Sequence, residues 1–222
     1  MGQTIELTAA DGHRLSAWLA TPTGTPRGAL VVVQEIFGVN THIRAVTDGF
    51  SADGYLCIAP ALFDRAERGV QLGYAPDDIQ RGRALKTACA DAGALQDLAA
   101  ALAHVSGAGR AGIVGYCWGG YLAWLASAAL NGLAASIPYY GGGMPGRADV
   151  QPRCPVLAHF GKQDTHIPLD GVAALQAAQP ALAVHLYPAG HGFNCDQRGS
   201  FDAPSAALAR ERSLAFLRRH VG

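Results

Sequence analysis

Apolar positions along the chain fall into short unbroken runs, separated by longer stretches in which they recur every three or four residues. The run Ala29 to Gln34 (ALVVVQ) is continuous and β-branched, the pattern of a strand buried on both faces. Tyr55 to Pro60, Gly112 to Cys117, Ala134 to Tyr140, Pro155 to Gly161 and Ala183 to Pro188 read the same way. Helical spacing predicts helices over Ile43 to Ala52, over about Asp77 to His104 as one long element, and over Gly119 to Leu130, Leu169 to Ala178 and Ser205 to Arg219. In the last of these, Leu208, Leu214, Phe216 and Leu217 can share a stripe while Arg210, Arg212, Arg218 and Arg219 stay in water. Ahead of the first buried strand, TIELTA and DGHRLSAWLATP are two extended pieces around an Asp-Gly turn, which reads as an antiparallel hairpin at a sheet edge.

Strand and helix alternate, so the predicted class is α/β: a mostly parallel sheet with helices on both faces, joined by right-handed crossovers, plus the N-terminal hairpin. The 222 residues show no internal repeat, linker or low-complexity block and are read as one domain, 1–222. The 28 glycines and 12 prolines stay below the roughly 25–30% combined share that signals disorder. Charge changes the picture by subtraction. Seventeen basic residues balance seventeen acidic ones, and only 15% of residues are charged, so neither a nucleic-acid nor an anionic-membrane footprint is present. The apolar run Tyr121 to Ala126, six residues, is as long as any and far short of the roughly 18 a membrane span needs. The opening MGQTIELTAADG lacks a secretory signal, and the expected location is cytoplasmic. Cys57, Cys89, Cys117, Cys154 and Cys195 are odd in number, scattered, and without a C-x-x-C pair, which argues against a disulfide framework and against a zinc site.

In a doubly wound sheet, chemistry gathers at the carboxyl ends of the strands. Gly115-Tyr116-Cys117-Trp118-Gly119-Gly120 follows a strand and precedes a helix, giving the G-x-nucleophile-x-G elbow with sulfur in place of a hydroxyl. Such a turn crowds the positions two before and two after the nucleophile, and it sets the sulfur at a helix N-terminus, beside the N–H of Trp118. A buried cysteine ending a strand beside a glycine-rich turn is the plainer reading. Asp164, in Gly161-Lys162-Gln163-Asp164, could orient a histidine or simply start a turn. His191, in Gly190-His191-Gly192-Phe193, has glycines on both sides and the pKa range of a general base. His159 and His185 fall inside strands, where satisfied core histidines are common, and Asp164, His166 and His191 could in principle hold a metal. Nucleophile, acid and histidine, each after its own strand, follow the chain order of an α/β-hydrolase.

These motifs, together with Gln34-Glu35-Ile36-Phe37-Gly38-Val39-Asn40, resemble the dienelactone hydrolases, also called carboxymethylenebutenolidases, over essentially the whole chain. The resemblance implies Cys117 as nucleophile, His191 as base and later acid, and Asp164 as orienting carboxylate. It further implies Glu35 beside the sulfur and oxyanion donors from the backbone N–H groups of Ile36 and Trp118. It also implies substrate contacts from Arg81, Phe37 and an arginine after the histidine. At that last place this chain has Cys195, with Arg198 three positions later, and the aromatic expected four residues after Arg81 is Leu85. The expectation is therefore a monomeric hydrolase of a small ester or lactone, acting through a cysteinyl thioester without metal or organic cofactor. A thioesterase or acyl-transfer enzyme, and a non-catalytic ligand-binding protein on the same fold, remain the alternatives.

Overall fold

The computed structural model describes residues 2–222; position 1 of the expected domain lies outside the described residues. Eight strands form one sheet in the order β1-β2-β4-β3-β5-β6-β7-β8. The hairpin is β1 (Gln3–Thr8) and β2 (Arg14–Ala20), antiparallel, and β2 runs antiparallel to β4 (Leu56–Pro60). From β4 onward the sheet is parallel: β3 (Ala29–Val33), β5 (Ala111–Tyr116), β6 (Leu133–Tyr139), β7 (Leu157–Gly161) and β8 (Ala183–Tyr187). The expected α/β architecture, hairpin included, is present. Every residue of β3 and β5 is buried, as their unalternating apolar runs require of central strands covered on both sides.

Helices α1 (Thr41–Ala52) and α6 (Ala203–His220) are tied together by Arg210, which bonds Asp53. α1 packs against β2, β3 and β4, and α6 against β6 and β7. α3 (Asp91–Val105) and α4 (Trp118–Ala129) pack on each other and on β3 to β6. α5 (Leu169–Ala178) follows β7. Side-chain caps set the starts of α1 and α6: Asn40 accepts from the Ile43 N–H, and Asp202 from the Ser205 N–H.

Two expectations need correction. In α6 the buried face is Ser205, Ala209, Ser213 and Leu217, while Leu208 is exposed and Arg210 lies over the Phe50 ring instead of in open water. The long helix from Asp77 to His104 is two helices, α2 (Pro76–Ala88) and α3. The chain turns extended at Cys89, which is buried with its thiol against the Leu62 carbonyl, while α3 is anchored by Asp97, whose carboxylate takes both Arg65 Nε and Nη2 at 2.8 Å. Tertiary anchoring makes this break, with neither Gly nor Pro to mark it in sequence. Among the described residues, no helix is long and apolar enough to cross a membrane.

His159 lies inside β7, as a core histidine should. Its Nδ1 meets Tyr187 Oη at 2.8 Å and its Nε2 meets Ser213 Oγ at 3.0 Å, stitching β7 to β8 and α6. Burial, aided by the neighbouring His185 and Arg212, holds the imidazole neutral far below its usual range. The unfolded chain accepts the proton that the folded chain refuses. The resulting stability is therefore present above about pH 6.5 and lost as pH falls below it, by about 1.4 kcal/mol per pH unit. Urea unfolding at pH 7.5 and 5.5 should show an acid loss that is smaller by about 1 kcal/mol in His159→Gln than in the unsubstituted chain. An equal loss in both would remove His159 from the account.

Candidate active site

Five loops at the carboxyl ends of the parallel strands meet at one rim. β3 delivers Glu35 and Ile36, β5 delivers Cys117, β6 delivers Tyr140, β7 delivers Asp164 and β8 delivers His191. Cys117 sits between β5 and α4 at φ 54°, ψ −113°, one of two non-glycine residues with positive φ among those described. Such a turn closes only if its neighbours lack side chains. A Cβ on Gly115 would stand 1.9 Å from the Gly119 carbonyl oxygen, and one on Gly119 would stand 2.4 Å from that of Val33. The elbow is pinned by the Cys117 N–H, which donates to the Tyr139 carbonyl, and by the Tyr121 N–H, which donates to the Cys117 carbonyl. Trp118 opens α4, where the first backbone N–H groups have no partner inside the helix. Its indole stacks on Phe63, with ring centroids 5.5 Å apart.

His191 Nε2 lies 3.1 Å from Cys117 Sγ, and His191 Nδ1 donates to Asp164 Oδ2 at 2.7 Å. Asp164 is fully buried; its Oδ1 accepts from the His166 N–H at 2.8 Å. Both carboxylate oxygens are thus committed to orienting the loop and the ring. Tyr140 and His166 meet the His191 ring edge-on, each with centroids 5.2 Å away. Burial is the largest influence on His191 and opposes its protonation. The hydrogen bonds to Asp164 and Cys117, and their charges, outweigh it and raise the imidazole to about 10.

A cavity of about 220 Å³ opens over these groups. Ile36, Phe37, Cys117, Trp118, Tyr121 and His191 line it, and three cationic side chains, Arg83, Lys86 and Arg198, join them with no acidic residue. The structure places Arg198 Nη1 3.2 Å from Glu35 Oε1 and its guanidinium over Phe37 and Tyr74. Glu35 is buried, and its ion pair is with Arg198; no hydrogen bond joins it to Cys117 among the described residues.

Arg81 lies elsewhere. It is half exposed and pairs with Glu67 at 2.5 Å, away from the cavity. The helix explains this: Ile79, Gly82, Arg83 and Lys86 recur at the 3-, 4- and 7-residue spacing of one face, and Gly82 on that face packs on the Ile36 carbonyl. Arg81 points off that stripe. Sequence reasoning missed Arg83 and Lys86, although the stripe was readable once Gly82 was taken as a close-approach residue.

The profile of the dienelactone hydrolase family matches residues 15–221. The chain belongs to that family. It is 35% identical over 226 residues to the carboxymethylenebutenolidase of Pseudomonas putida, covering 96% of this chain and 94% of the relative. Its identity to carboxymethylenebutenolidase 1 of Cupriavidus pinatubonensis is 30% over 224 residues, at 96% and 95% coverage. The crystal structure of a Klebsiella pneumoniae protein assigned to the dienelactone hydrolases superposes with a TM-score of 0.84 at 30% identity, over 98% of this chain and 100% of that one. A dienelactone hydrolase-like promiscuous phosphotriesterase from metagenomic libraries shares the fold, with a TM-score of 0.82 at 19% identity.

Because Asp164 contributes to holding the imidazole proton, Asp164→Asn should move the His191 titration to lower pH than about 10. Ring-nitrogen NMR of labelled histidine measures this. An unchanged midpoint would mean that the Asp164 contact does not govern the ring.

Proposed function

We propose that this chain hydrolyses small lactones or esters that carry a free carboxylate, through a thioester on Cys117. The observation that carries the reading is the line Cys117 Sγ, His191, Asp164, with contacts of 3.1 and 2.7 Å, ending in a cavity walled by three cations. The thiolate is the nucleophilic form of a cysteine, and a base within hydrogen-bond reach of Sγ supplies it by holding the proton. His191, raised to about 10, holds that proton as an imidazolium beside Sγ at neutral pH, Asp164 stabilises the imidazolium, and the sulfur attacks the carbonyl carbon as a thiolate. The oxyanion is held by the N–H groups of Ile36 and Trp118, each worth about 3–4 kcal/mol by comparison with oxyanion donors in other enzymes. His191 returns the proton to the leaving oxygen, which in a lactone stays tethered to the acyl group. Water deprotonated by His191 then attacks the thioester, the carboxylic acid leaves, and the Cys117 thiolate and His191 imidazolium are restored.

The cations favour an anionic substrate over a neutral one. Arg83 and Lys86 sit at the rim on α2, while Arg198, a planar fork partly held by Glu35, is suited to gripping a carboxylate. The cavity volume favours a small ring over a long acyl chain, which weighs against the thioesterase alternative.

A panel of lactones with and without a free carboxylate, assayed on the unsubstituted chain, Cys117→Ala and Arg83→Gln/Lys86→Gln, tests the reading. Cys117→Ala should lose at least about 10³-fold in kcat/KM. The double variant should raise KM about tenfold for carboxylated substrates alone. Retained turnover in Cys117→Ala would overturn the mechanism, and equal effects on both substrate classes would overturn the carboxylate preference.

A further inference from the structure

Outside the cavity wall, three buried side chains from distant parts of the chain converge. Glu35 follows β3, His42 is in the first turn of α1, and Cys195 is in the loop after β8; one donor atom from each lies within 4.8 Å of the others. Two of these residues carry an unsatisfied atom. Glu35 Oε2 and His42 Nε2 are both buried without a hydrogen-bond partner among the described residues, on side chains only 1% and 4% exposed. An orphaned polar atom in a protein interior typically costs about 1–3 kcal/mol, and two on side chains of one three-residue cluster point to a shared ligand.

The imidazole is also set up as a ligand. His42 Nδ1 donates to Asp196 Oδ1 at 3.3 Å, which fixes the tautomer and leaves the Nε2 lone pair free. A carboxylate on the far nitrogen is the usual support behind a metal-bound histidine. Oxygen, nitrogen and thiolate sulfur together suit a borderline-soft divalent ion better than calcium or magnesium, which prefer oxygen alone.

We infer that Glu35, His42 and Cys195 form a binding site for a Zn²⁺-class divalent cation, with Asp196 supporting His42 from outside. The ion replaces the Cys195 thiol proton, which leaves to solvent, and a water completes four-coordination. Bonds of about 2.0–2.3 Å require the three donor atoms to draw together by roughly an ångström. On the outer side of the group, His42 and Asp196 also line a cleft of about 440 Å³ between α1 and the start of α6. Cysteine spacing gave no hint of such a site, because the three ligands come from separate segments and include only one sulfur. The inference does not depend on Cys117 being a nucleophile. It does touch the cavity, since an ion on Glu35 competes with Arg198 for that carboxylate.

Chelator-treated full chain titrated with Zn²⁺ by calorimetry, and with Co²⁺ by absorption, tests the site. One ion should bind per chain, and Co²⁺ should give a thiolate charge-transfer band that survives Cys117→Ser and disappears in Cys195→Ser. His42→Gln should weaken Zn²⁺ binding at least tenfold. Asp196→Asn, altered at an exposed side chain that leaves the interior intact, should weaken it about 10–100-fold. Absence of saturable binding, or a band lost in Cys117→Ser and kept in Cys195→Ser, would overturn the assignment, as would undiminished affinity in Asp196→Asn.

Discussion

The left-handed turn at Cys117 is the constraint from which the site follows. A non-glycine residue at φ 54° is held against its own preference, at a cost of order 1–3 kcal/mol, and persists only because its surroundings over-determine it. Here they do so from two sides. Gly115 and Gly119 let the end of β5, the start of α4 and the end of β3 touch backbone to backbone. The Tyr139 carbonyl then holds the Cys117 N–H from β6. That same approach sets the start of α4 against the segment carrying Glu35 and Ile36, so the sulfur and both candidate oxyanion donors are placed by a single packing event.

The parallel strands bring the partners. β7 and β8 end side by side, which lets Asp164 and His191 meet at 2.7 Å and directs the ring toward the elbow. The two carboxylates of the region have separate environments. Asp164 is fully engaged by the His191 ring and the His166 amide, whereas Glu35 gives one oxygen to Arg198 and keeps the other unpartnered. Charge near the sulfur is thus divided between an acid that supports the imidazole and an acid that restrains a cavity cation.

Much of this could be read from the sequence because the signals were local. The ALVVVQ run marks a central strand, and Gly115-Tyr116-Cys117-Trp118-Gly119 encodes the elbow in five residues. What escaped was set by tertiary contact. The break between α2 and α3 comes from burying Cys89 and anchoring Asp97, neither of which alters the apolar period. Arg81 and Arg83 differ by two positions, about 200° around a helix, so one faces Glu67 and the other the cavity. The grouping of Glu35, His42 and Cys195 spans most of the chain and has no spacing rule to reveal it.

The central claim is that the acyl group passes through Cys117. Mixing the chain with a slowly deacylating activated ester, quenching in acid and mapping peptides by mass gives the most direct answer. The account predicts an acyl mass on the peptide that carries Cys117. An acyl group on any other residue, or full turnover by chain alkylated quantitatively at Cys117, would contradict it.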